Sequence, residues 1–338
     1  MFIEIAMALV VIIVGFVYAF LKPPQSKICG SLGGPLVTSP RIRLRDGRYM
    51  AYVIRGAPLE KAKHKVVVCH GFRDGKDMVF LYSQELLEEL DACFVIYDRP
   101  GYGESDPSKK RGPKSEAEDV EELADYLQLG SRFHIMGISM GVYVVWGCLM
   151  YLPHRLSGAT FVCAFYNYYW SGFPSDLLNM CFRKQSRENQ WVARISYYAP
   201  WLLYWFMTQN IMFKTNANDL PLTDDDLELV KKVHLSPNII PLMEKAKQQG
   251  IYYSMHQDML AAYGKWERSP LDIKNPFQNN EGTVHFWQGT DDKITPVELS
   301  RFLAKELPWI KYHELPGKGH FIIHDPHLCE CIVRKSLN

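Results

Sequence analysis

The chain has 338 residues, of which 38 are Lys or Arg and 37 are Asp or Glu, so its formal net charge is +1. A nucleic-acid-binding protein usually needs a basic excess gathered on one face, and this near-balance argues against that class. Hydrophobic residues make up 47% and charged residues 22%, which excludes wholesale disorder. The length allows one large α/β domain or two smaller ones.

Residues 5–21 form an apolar run without a single charge, IAMALVVIIVGFVYAFL. As a helix rising about 1.5 Å per residue, this run and the apolar residues before it approach the thickness of a bilayer core, about 30 Å. A cleaved signal peptide is disfavoured because Glu4 precedes the run and residues 19–21 form a poor cleavage site. A buried core helix is disfavoured because the run has no polar face. We therefore predict a single-pass transmembrane helix within an N-terminal anchor, residues 1–24.

The charges around this anchor predict its orientation. The acidic residue Glu4 precedes the run, whereas the charged residues that follow it up to position 45 are all basic: Lys22, Lys27, Arg41, Arg43 and Arg45. The positive-inside rule then places the body of the protein in the cytosol, and the short span suits the thin membrane of the endoplasmic reticulum. The eight cysteines show neither disulfide nor zinc spacing, Cys329 and Cys331 included, and no Asn-x-Ser/Thr sequon occurs. Both observations favour a reduced, cytosol-facing domain without a metal.

Strand-like and helix-like segments alternate after the anchor. A hairpin is predicted at 41–53, strands at 65–69, 92–97, 133–138, 159–165, 284–288 and 311–314, and helices at 78–90, 114–127 and 142–151. This alternation predicts a mostly parallel sheet with helices on both faces. It stops between residues 166 and 268, where we predict an inserted helical lid. The α/β core then comprises residues 25–165 and 269–338.

A candidate nucleophile follows the strand at 133–138. Residues 137–141 read G-I-S-M-G, the G-x-S-x-G pattern, between a predicted strand and a predicted helix as that pattern requires. The glycines permit a strained turn that exposes the serine, although a Gly-rich turn with an incidental serine is the alternative. Ser139 is therefore the candidate nucleophile. The backbone N–H of Met140 and that of Phe72, in the loop after the strand at 65–69, are the candidate oxyanion-hole donors.

A serine hydroxyl needs a general base and an acidic residue that orients the base. His320 lies in the loop after the strand at 311–314 and is the candidate base, with His324 as the alternative. The strand at 284–288 is followed by G-T-D-D-K-I-T-P, in which position alone does not separate Asp291 from Asp292. We expect His70 to be a structural loop residue, and residues 97–105, which lack a P-loop pattern, to form a structural turn at the rim of the site.

Five motifs together carry a family resemblance: H-G-F at 70–72, D-R-P-G-Y-G-E-S at 98–105, G-I-S-M-G at 137–141, G-T-D-D-K-I-T-P at 289–296 and G-K-G-H at 317–320. They resemble the lid-bearing branch of the α/β-hydrolase superfamily, from about residue 40 to the end of the chain. The resemblance implies the α/β-hydrolase fold and the triad Ser139, Asp292 and His320, with Asp292 chosen by the superfamily pattern G-x-x-D-x-x-x-P. It implies neither a cofactor nor a metal. Residues 27–41 are similar to plant membrane-anchored α/β hydrolases whose substrates are mostly unassigned.

Two positions narrow the implied chemistry. Ile138 stands where lipase-like members such as monoacylglycerol lipase often carry histidine, which weakens a specific lipase assignment. Because residue 139 is Ser and not Asp, the epoxide hydrolase and haloalkane dehalogenase reactions are disfavoured.

Residues 165–206 contain 14 aromatic residues in 42, which either line an apolar acyl pocket or pack the lid onto the body.

We therefore predict a serine esterase that acts on a hydrophobic or lipid-like carboxylic ester through an acyl-enzyme. His320 and Asp325 have the H-x-x-x-x-D form found in some acyltransferases, so acyl transfer on the same triad is one alternative. A non-catalytic ligand receptor or a lyase on the same scaffold is another. The basic residues Lys109, Lys110, Arg111 and Lys114 are interpreted as part of a solvated loop, with contact to anionic headgroups as the alternative.

Overall fold

The computed structural model describes residues 2–78, 83–209, 221–234, 239–279 and 281–337. Its strands are β1 Arg41–Arg43, β2 Tyr49–Gly56, β3 His64–Cys69, β4 Ala92–Tyr97, β5 Phe133–Ile138, β6 Leu156–Val162, β7 Thr283–Gly289 and β8 Ile310–Leu315. Its α-helices are α1 Phe2–Leu21, α2 Gln84–Glu89, α3 Pro113–Tyr126, α4 Val142–Tyr151, α5 Ser175–Lys184, α6 Arg187–Tyr198, α7 Leu203–Thr208, α8 Asp224–His234, α9 Ile239–Ala246, α10 Ile251–Tyr263, α11 Val297–Glu306 and α12 Pro326–Leu337.

The strands form one sheet in the order β1-β2-β4-β3-β5-β6-β7-β8. The pairs β1/β2 and β2/β4 are antiparallel, and all the other neighbouring pairs are parallel. The predicted hairpin at 41–53 corresponds to β1 and β2. The expectation of a mostly parallel sheet is confirmed.

The central strands are buried on both sides, which explains their continuous apolar sequences. Every residue of β4 and β5 is buried. Along β3, Val67 belongs to the apolar cluster that includes side chains of α3, α4 and α11, whereas Val66 belongs to a second cluster with side chains of α2 and α12. Neighbouring residues on a strand point to opposite faces, so helices cover both faces of the sheet.

The parallel strands end together at one edge of the sheet. The register pairs Cys69 with Gly137, Gly137 with Phe161, and Gly289 with Leu315. The loops that leave β3, β5, β6, β7 and β8 therefore emerge side by side, and this edge is where reactive side chains gather in open α/β sheets.

Several predicted elements begin or end at different residues in the structure, and two of these differences have a clear local cause. Helix α2 begins at Gln84 because the Ser83 hydroxyl accepts a hydrogen bond from the N–H of Leu86 and caps the helix, so the predicted start at 78 is wrong. Residues 79–82 of that prediction lie outside the described residues. Strand β6 ends at Val162, not at 165, because Cys163 adopts a left-handed backbone with φ +49° and turns the chain out of the sheet.

The N-terminal apolar run forms helix α1, and its side chains from Leu9 to Phe20 are exposed. Within the described part of the chain, no helix combines the length and the apolar character that crossing a membrane requires. The predicted transmembrane helix is therefore not supported, and the location of the protein stays a prediction.

Six helices, α5 to α10, lie in the described parts of the segment between β6 and β7. The predicted lid boundaries, 166 and 268, fall within this segment and stay a prediction, as do the other domain boundaries. Residues 210–220 and 235–238 of the predicted lid lie outside the described residues. Among its aromatic residues, Tyr169 stacks on Tyr197 with ring centres 4.0 Å apart, and Trp170 packs on Trp266 at 5.0 Å. Others are exposed on the surface: Trp191, Tyr198 and Trp201.

Candidate active site

Ser139 lies in a strained turn between β5 and α4. Its backbone has φ +50°, a left-handed conformation that non-glycine residues seldom adopt. A Cβ atom at Gly137 would come within 2.5 Å of a methyl group of Val145, and one at Gly141 would come within 2.2 Å of the Cys69 carbonyl oxygen. Both glycines are therefore needed for the close approach of β3, β5 and α4 that presents the serine.

The structure brings Ser139, His320 and Asp292 into one chain of hydrogen bonds. The Nε2 atom of His320 lies 2.9 Å from Ser139 Oγ, and its Nδ1 atom lies 2.8 Å from Asp292 Oδ2. An ionised carboxylate only accepts hydrogen bonds, so Nδ1 carries the proton and Nε2 is left to accept the hydrogen of the serine hydroxyl. In this tautomer the imidazole is ready to act as a general base.

The two adjacent aspartates have different surroundings. Asp292 is buried, and its oxygens also accept hydrogen bonds from Gln288 Nε2 and from the backbone N–H and hydroxyl of Thr295, at 2.7–2.8 Å. Asp291 is exposed, and its carboxylate accepts a hydrogen bond from the neighbouring Thr290 hydroxyl. Only Asp292 reaches the imidazole of His320, which is the position that the resemblance implied.

The charges in this chain stabilise one another. Burial by itself raises the pKa of Asp292, but attraction to His320 and the hydrogen bonds from His320 and Thr295 outweigh burial and lower it below its ordinary value. Burial by itself lowers the pKa of His320, and the Asp292 carboxylate outweighs that effect and raises it. Asp292 is therefore held ionised, and an imidazolium on His320 is stabilised.

The loop after β3 lies against the nucleophile turn. A Cβ atom at Gly71 would come within 3.6 Å of the Ser139 Cβ. The backbone N–H of Arg99 donates to His70 Nε2 at 3.0 Å, so His70 Nδ1 carries the proton and donates to the Gly71 carbonyl at 2.8 Å. Burial, helped by the nearby Arg99 guanidinium, lowers the pKa of His70 well below its ordinary value. His70 is therefore a neutral structural residue of this loop.

A cavity of about 470 Å³ opens over Ser139 and His320. The candidate oxyanion-hole residues Phe72 and Met140 both line it, although their catalytic role stays a prediction. Much of its wall is apolar or aromatic: Met78, Phe165, Tyr166, Tyr168, Val192, Met255, Met259, Tyr263 and Ile323. Three of the 14 aromatic residues between 165 and 206 therefore line the cavity, and others pack elsewhere or face solvent. His324 also lines it, but His320 is the histidine that contacts Ser139.

Cys163 lies beside the acid and the base. Its sulfur and donor atoms of Asp292 and His320 lie within 4.8 Å of one another, the one such group of potential metal ligands in the described ranges. Burial, with a further contribution from the Asp292 carboxylate, raises the pKa of Cys163 well above its ordinary value. A metal ligand must be a thiolate and an unprotonated imidazole nitrogen, and here the thiol is protonated and Nδ1 of His320 carries a proton. The grouping is therefore explained by the hydrogen-bond chain without a metal.

Sequence reasoning did not identify two acidic or basic residues near the site. Asp226, fully buried at the start of α8, accepts a hydrogen bond from the N–H of Phe321 at 2.8 Å and lies against Gly319 in the His320 loop. In the sequence it is one of three consecutive aspartates, a pattern that indicates a helix N-terminus and nothing more. The expectation that Arg111 lies in a solvated loop is wrong, because its side chain is buried and pairs with Glu116 and Asp258.

Comparisons with known proteins agree with this fold. The sequence profile of a family described as alpha/beta hydrolase fold matches residues 65–326. An esterase from Thermogutta terrifontis is 17% identical, with a TM-score of 0.55, over 88% of this chain and 97% of its own. An esterase from Exiguobacterium antarcticum is 15% identical, with a TM-score of 0.57, over 89% of this chain and 99% of its own. At these identities the likeness shows the fold alone. Among the curated proteins, none matches the chain.

Proposed function

Because the chain belongs to the family of the alpha/beta hydrolase fold, we propose that it is a serine hydrolase that cleaves carboxylic esters. The observation that carries the proposal is the continuous hydrogen-bond chain from Ser139 Oγ through His320 to Asp292, at 2.9 and 2.8 Å, below an open cavity. The folds shared with the esterases of two bacteria are compatible with it.

In the proposed reaction Ser139 Oγ attacks the ester carbonyl carbon while its proton passes to His320 Nε2. The carbonyl oxygen becomes an oxyanion that accepts hydrogen bonds from the backbone N–H groups of Phe72 and Met140. The C–O bond to the leaving alcohol then breaks, and the alcohol oxygen takes the proton from His320. Water, deprotonated by the same imidazole, attacks the acyl-enzyme, and the acid leaves as Ser139 regains its proton. Asp292 orients the imidazole throughout.

The cavity supports a hydrophobic substrate. Its aliphatic and aromatic walls offer apolar contacts to an acyl chain. Removing the apolar surface of that chain from water favours its binding. Polar and charged side chains also line the cavity, Arg73, Asp74 and Glu188 among them. An ester whose acyl group packs on the apolar part of the wall fits this mixed lining.

The test is labelling with a fluorophosphonate probe, which phosphonylates an activated serine. The wild-type chain should be labelled, and Ser139→Ala should abolish labelling. Ser186→Ala is a matched control because Ser186 lines the same cavity but caps α6 through the N–H of Asn189. Labelling that persists in Ser139→Ala would overturn the assignment.

The alternatives predicted from the sequence have less support. The Asp325 carboxylate accepts hydrogen bonds from the N–H groups of His327 and Leu328 at the start of α12 and contacts Lys318 Nζ at 3.3 Å. The H-x-x-x-x-D pattern is thus accounted for by a helix cap, which gives no support to acyl transfer. Turnover of p-nitrophenyl esters separates a hydrolase from a receptor, because a receptor would bind the ester saturably without releasing p-nitrophenol.

A further inference from the structure

One buried arginine outside the triad joins the predicted oxyanion loop to a distant helix. Arg99 is the second residue after the end of β4, and its side chain is fully buried. Its guanidinium forms a two-pronged ion pair with Asp258 on α10, in which Nη1 donates to Oδ1 and Nη2 donates to Oδ2 at 2.8 Å. The planar fork of a guanidinium matches the two oxygens of a carboxylate, which makes this arrangement more directional than a lysine pair.

The same guanidinium holds the backbone of the loop after β3. Its Nε donates to the His70 carbonyl and its Nη2 donates to the Gly71 carbonyl, both at 3.0 Å. The Gly71 carbonyl also accepts the Nδ1 proton of His70 at 2.8 Å. Two donors therefore fix the direction of the Gly71 carbonyl.

That direction determines where the next N–H points. The Gly71 carbonyl and the Phe72 N–H belong to the same peptide unit, and in a planar trans peptide these two groups point in opposite directions. No cis peptide bond occurs in the described part of the chain. Donors that hold the Gly71 carbonyl on the Arg99 side therefore turn the Phe72 N–H away from Arg99. A rotation of this peptide would remove that N–H from the place where a reacting carbonyl oxygen must lie.

We propose that Arg99 is a positioning residue that aims the Phe72 N–H at the oxyanion, and that Asp258 positions Arg99. The inference rests on the proposed function and deepens it, because it assigns the orientation of one oxyanion donor to an ion pair outside the triad. Neither residue touches the substrate.

Asp258 also relates this peptide to the substrate cavity. Met255, Met259 and Tyr263 lie on the same helix, α10, and line the cavity over Ser139. One helix therefore contributes part of the acyl-binding wall and the carboxylate that holds Arg99. A displacement of α10 would move both, so the position of the wall and the aim of the Phe72 N–H are coupled.

The ion pair belongs to a buried cluster whose charges balance. Arg111 Nη2 and the Tyr102 hydroxyl also donate to Asp258, at 2.7 and 2.8 Å, and Glu116 pairs with Arg111. Two buried cations thus face two buried anions. Removing one charge would leave another uncompensated, so substitutions that keep the shape or the charge are the informative ones.

The experiment compares Arg99→Lys and Asp258→Asn with the wild-type full-length chain, using p-nitrophenyl butyrate as the substrate. Arg99→Lys retains the charge but loses the fork that reaches both carbonyls and the carboxylate. We expect its kcat to fall by about 100-fold, the scale of a misplaced catalytic group, with KM changed by less than about threefold. For Asp258→Asn we expect a fall of about tenfold, because the guanidinium keeps its carbonyl contacts but loses its charged partner.

A second readout separates positioning from a general loss of structure. A boronic acid that adds reversibly to Ser139 mimics the tetrahedral intermediate, so its inhibition constant should rise by the same factor by which kcat/KM falls. Arg48→Lys is the matched control, because Arg48 makes a two-pronged pair with Asp119, at 3.1 and 2.6 Å, outside the site. This control should keep the wild-type kcat and inhibition constant.

The thermal unfolding transition of each variant is measured to check that it folds. If Arg99→Lys does not fold, the kinetics of Asp258→Asn decide the outcome. The proposal is overturned if the folded variants keep kcat within about threefold of wild type, well short of the loss expected for a misplaced donor. It is also overturned if kcat falls while boronic acid inhibition stays unchanged. Failure of the proposed function is a separate result, since it would appear as fluorophosphonate labelling that survives Ser139→Ala.

Discussion

Asp291 and Asp292 are neighbours in the chain, yet only one of them can orient the base. Asn in place of Asp292 would keep the size of the side chain but offer an amide N–H group to His320, which favours the wrong tautomer of the imidazole. We expect Asp292→Asn to lower kcat by about 10⁴-fold, the scale of this change in a serine hydrolase triad. The measurement is turnover of p-nitrophenyl acetate.

Asp291→Asn is the matched control, because Asp291 is exposed and its carboxylate accepts a hydrogen bond from the Thr290 hydroxyl, away from His320. It should retain wild-type kcat. Equal losses in the two variants would contradict the assignment of Asp292.

The pH dependence of the reaction follows from the raised pKa of His320. Burial opposes the charged imidazole, but the Asp292 carboxylate outweighs burial and raises the pKa above the ordinary value of 6.5. The proposed base must be neutral to accept the proton of Ser139, so activity is lost as the pH falls through this raised pKa. We expect kcat/KM to decrease towards acid pH with a midpoint above about 6.5.

The measurement is a pH profile of kcat/KM with an uncharged ester. Residual activity of Asp292→Asn should show a lower midpoint, because burial then acts without the opposing carboxylate. A wild-type midpoint below the ordinary histidine value would contradict this account.

Gly141 is held by contacts that leave no space for a side chain. A Cβ atom there would come within 2.2 Å of the Cys69 carbonyl oxygen and 2.6 Å of the His70 carbonyl oxygen, both of which belong to the backbone. We expect Gly141→Ala to lower the free energy of unfolding by about 3 kcal/mol or more, since β3 and α4 must move apart.

The measurement is denaturant unfolding followed by circular dichroism. Gly112→Ala is the control because a Cβ atom at Gly112 meets nothing within 4 Å, and we expect a change within about 0.5 kcal/mol. A Gly141→Ala variant as stable as this control would show that the close approach of β3 and α4 is not needed.

At the scale of elements, α10 forms part of the cavity wall through Met259, whose side chain is nearly buried. Replacing it with tryptophan would occupy space in the proposed acyl pocket. We expect Met259→Trp to lower kcat/KM for p-nitrophenyl octanoate by about tenfold or more, while p-nitrophenyl acetate is still hydrolysed at close to the wild-type rate.

Met180→Trp is the matched control, because Met180 on α5 is 43% exposed and does not line this cavity. It should leave the preference for chain length unchanged. An equal loss of octanoate and acetate turnover in Met259→Trp would indicate general damage and not a filled acyl pocket.

The existence of the elements was predicted well from the spacing of apolar residues, whereas some of their ends were not. Strand β5 coincides with the predicted 133–138, because its continuous apolar run is flanked by a turn signal and the G-x-S-x-G pattern. The end of β6 and the start of α2 were misplaced. Cys163 ends β6 through a left-handed backbone conformation, and the Ser83 hydroxyl caps α2, and neither feature appears in the spacing of apolar residues.

At the scale of the whole molecule, membrane association stays a prediction. The described side chains of α1 from Leu9 to Phe20 are apolar or small and exposed, which favours burial against a lipid surface or another protein. We expect the full-length chain, expressed in eukaryotic cells, to sediment with membranes of the endoplasmic reticulum.

Deletion of residues 1–24 should release the protein into the supernatant while fluorophosphonate labelling of Ser139 persists. A protease added to intact microsomes should digest the body of the protein if it faces the cytosol. Full-length protein in the high-speed supernatant would contradict the predicted membrane association, and protection from protease would contradict the predicted orientation.

Local sequence was sufficient to predict the turn at Ser139, because the G-x-S-x-G pattern stands directly between a strand-like and a helix-like segment. It was also sufficient for the alternation of strands and helices, which depends on the spacing of apolar residues along the chain. The place of His320 in a loop after a strand made it the candidate base, and the resemblance to a known superfamily then singled out Asp292.

The contact between Ser139 and His320 joins residues 181 positions apart, and it exists because parallel strands end at the same edge of one sheet. Arg99 and Asp258 pair with each other although they are 159 positions apart in the chain. No sequence pattern predicted this pair, because only the tertiary structure shows that both charged side chains are buried and in contact. Short-range patterns therefore predicted the reactive groups, whereas the long-range packing of the sheet and of α10 determines how those groups are aimed.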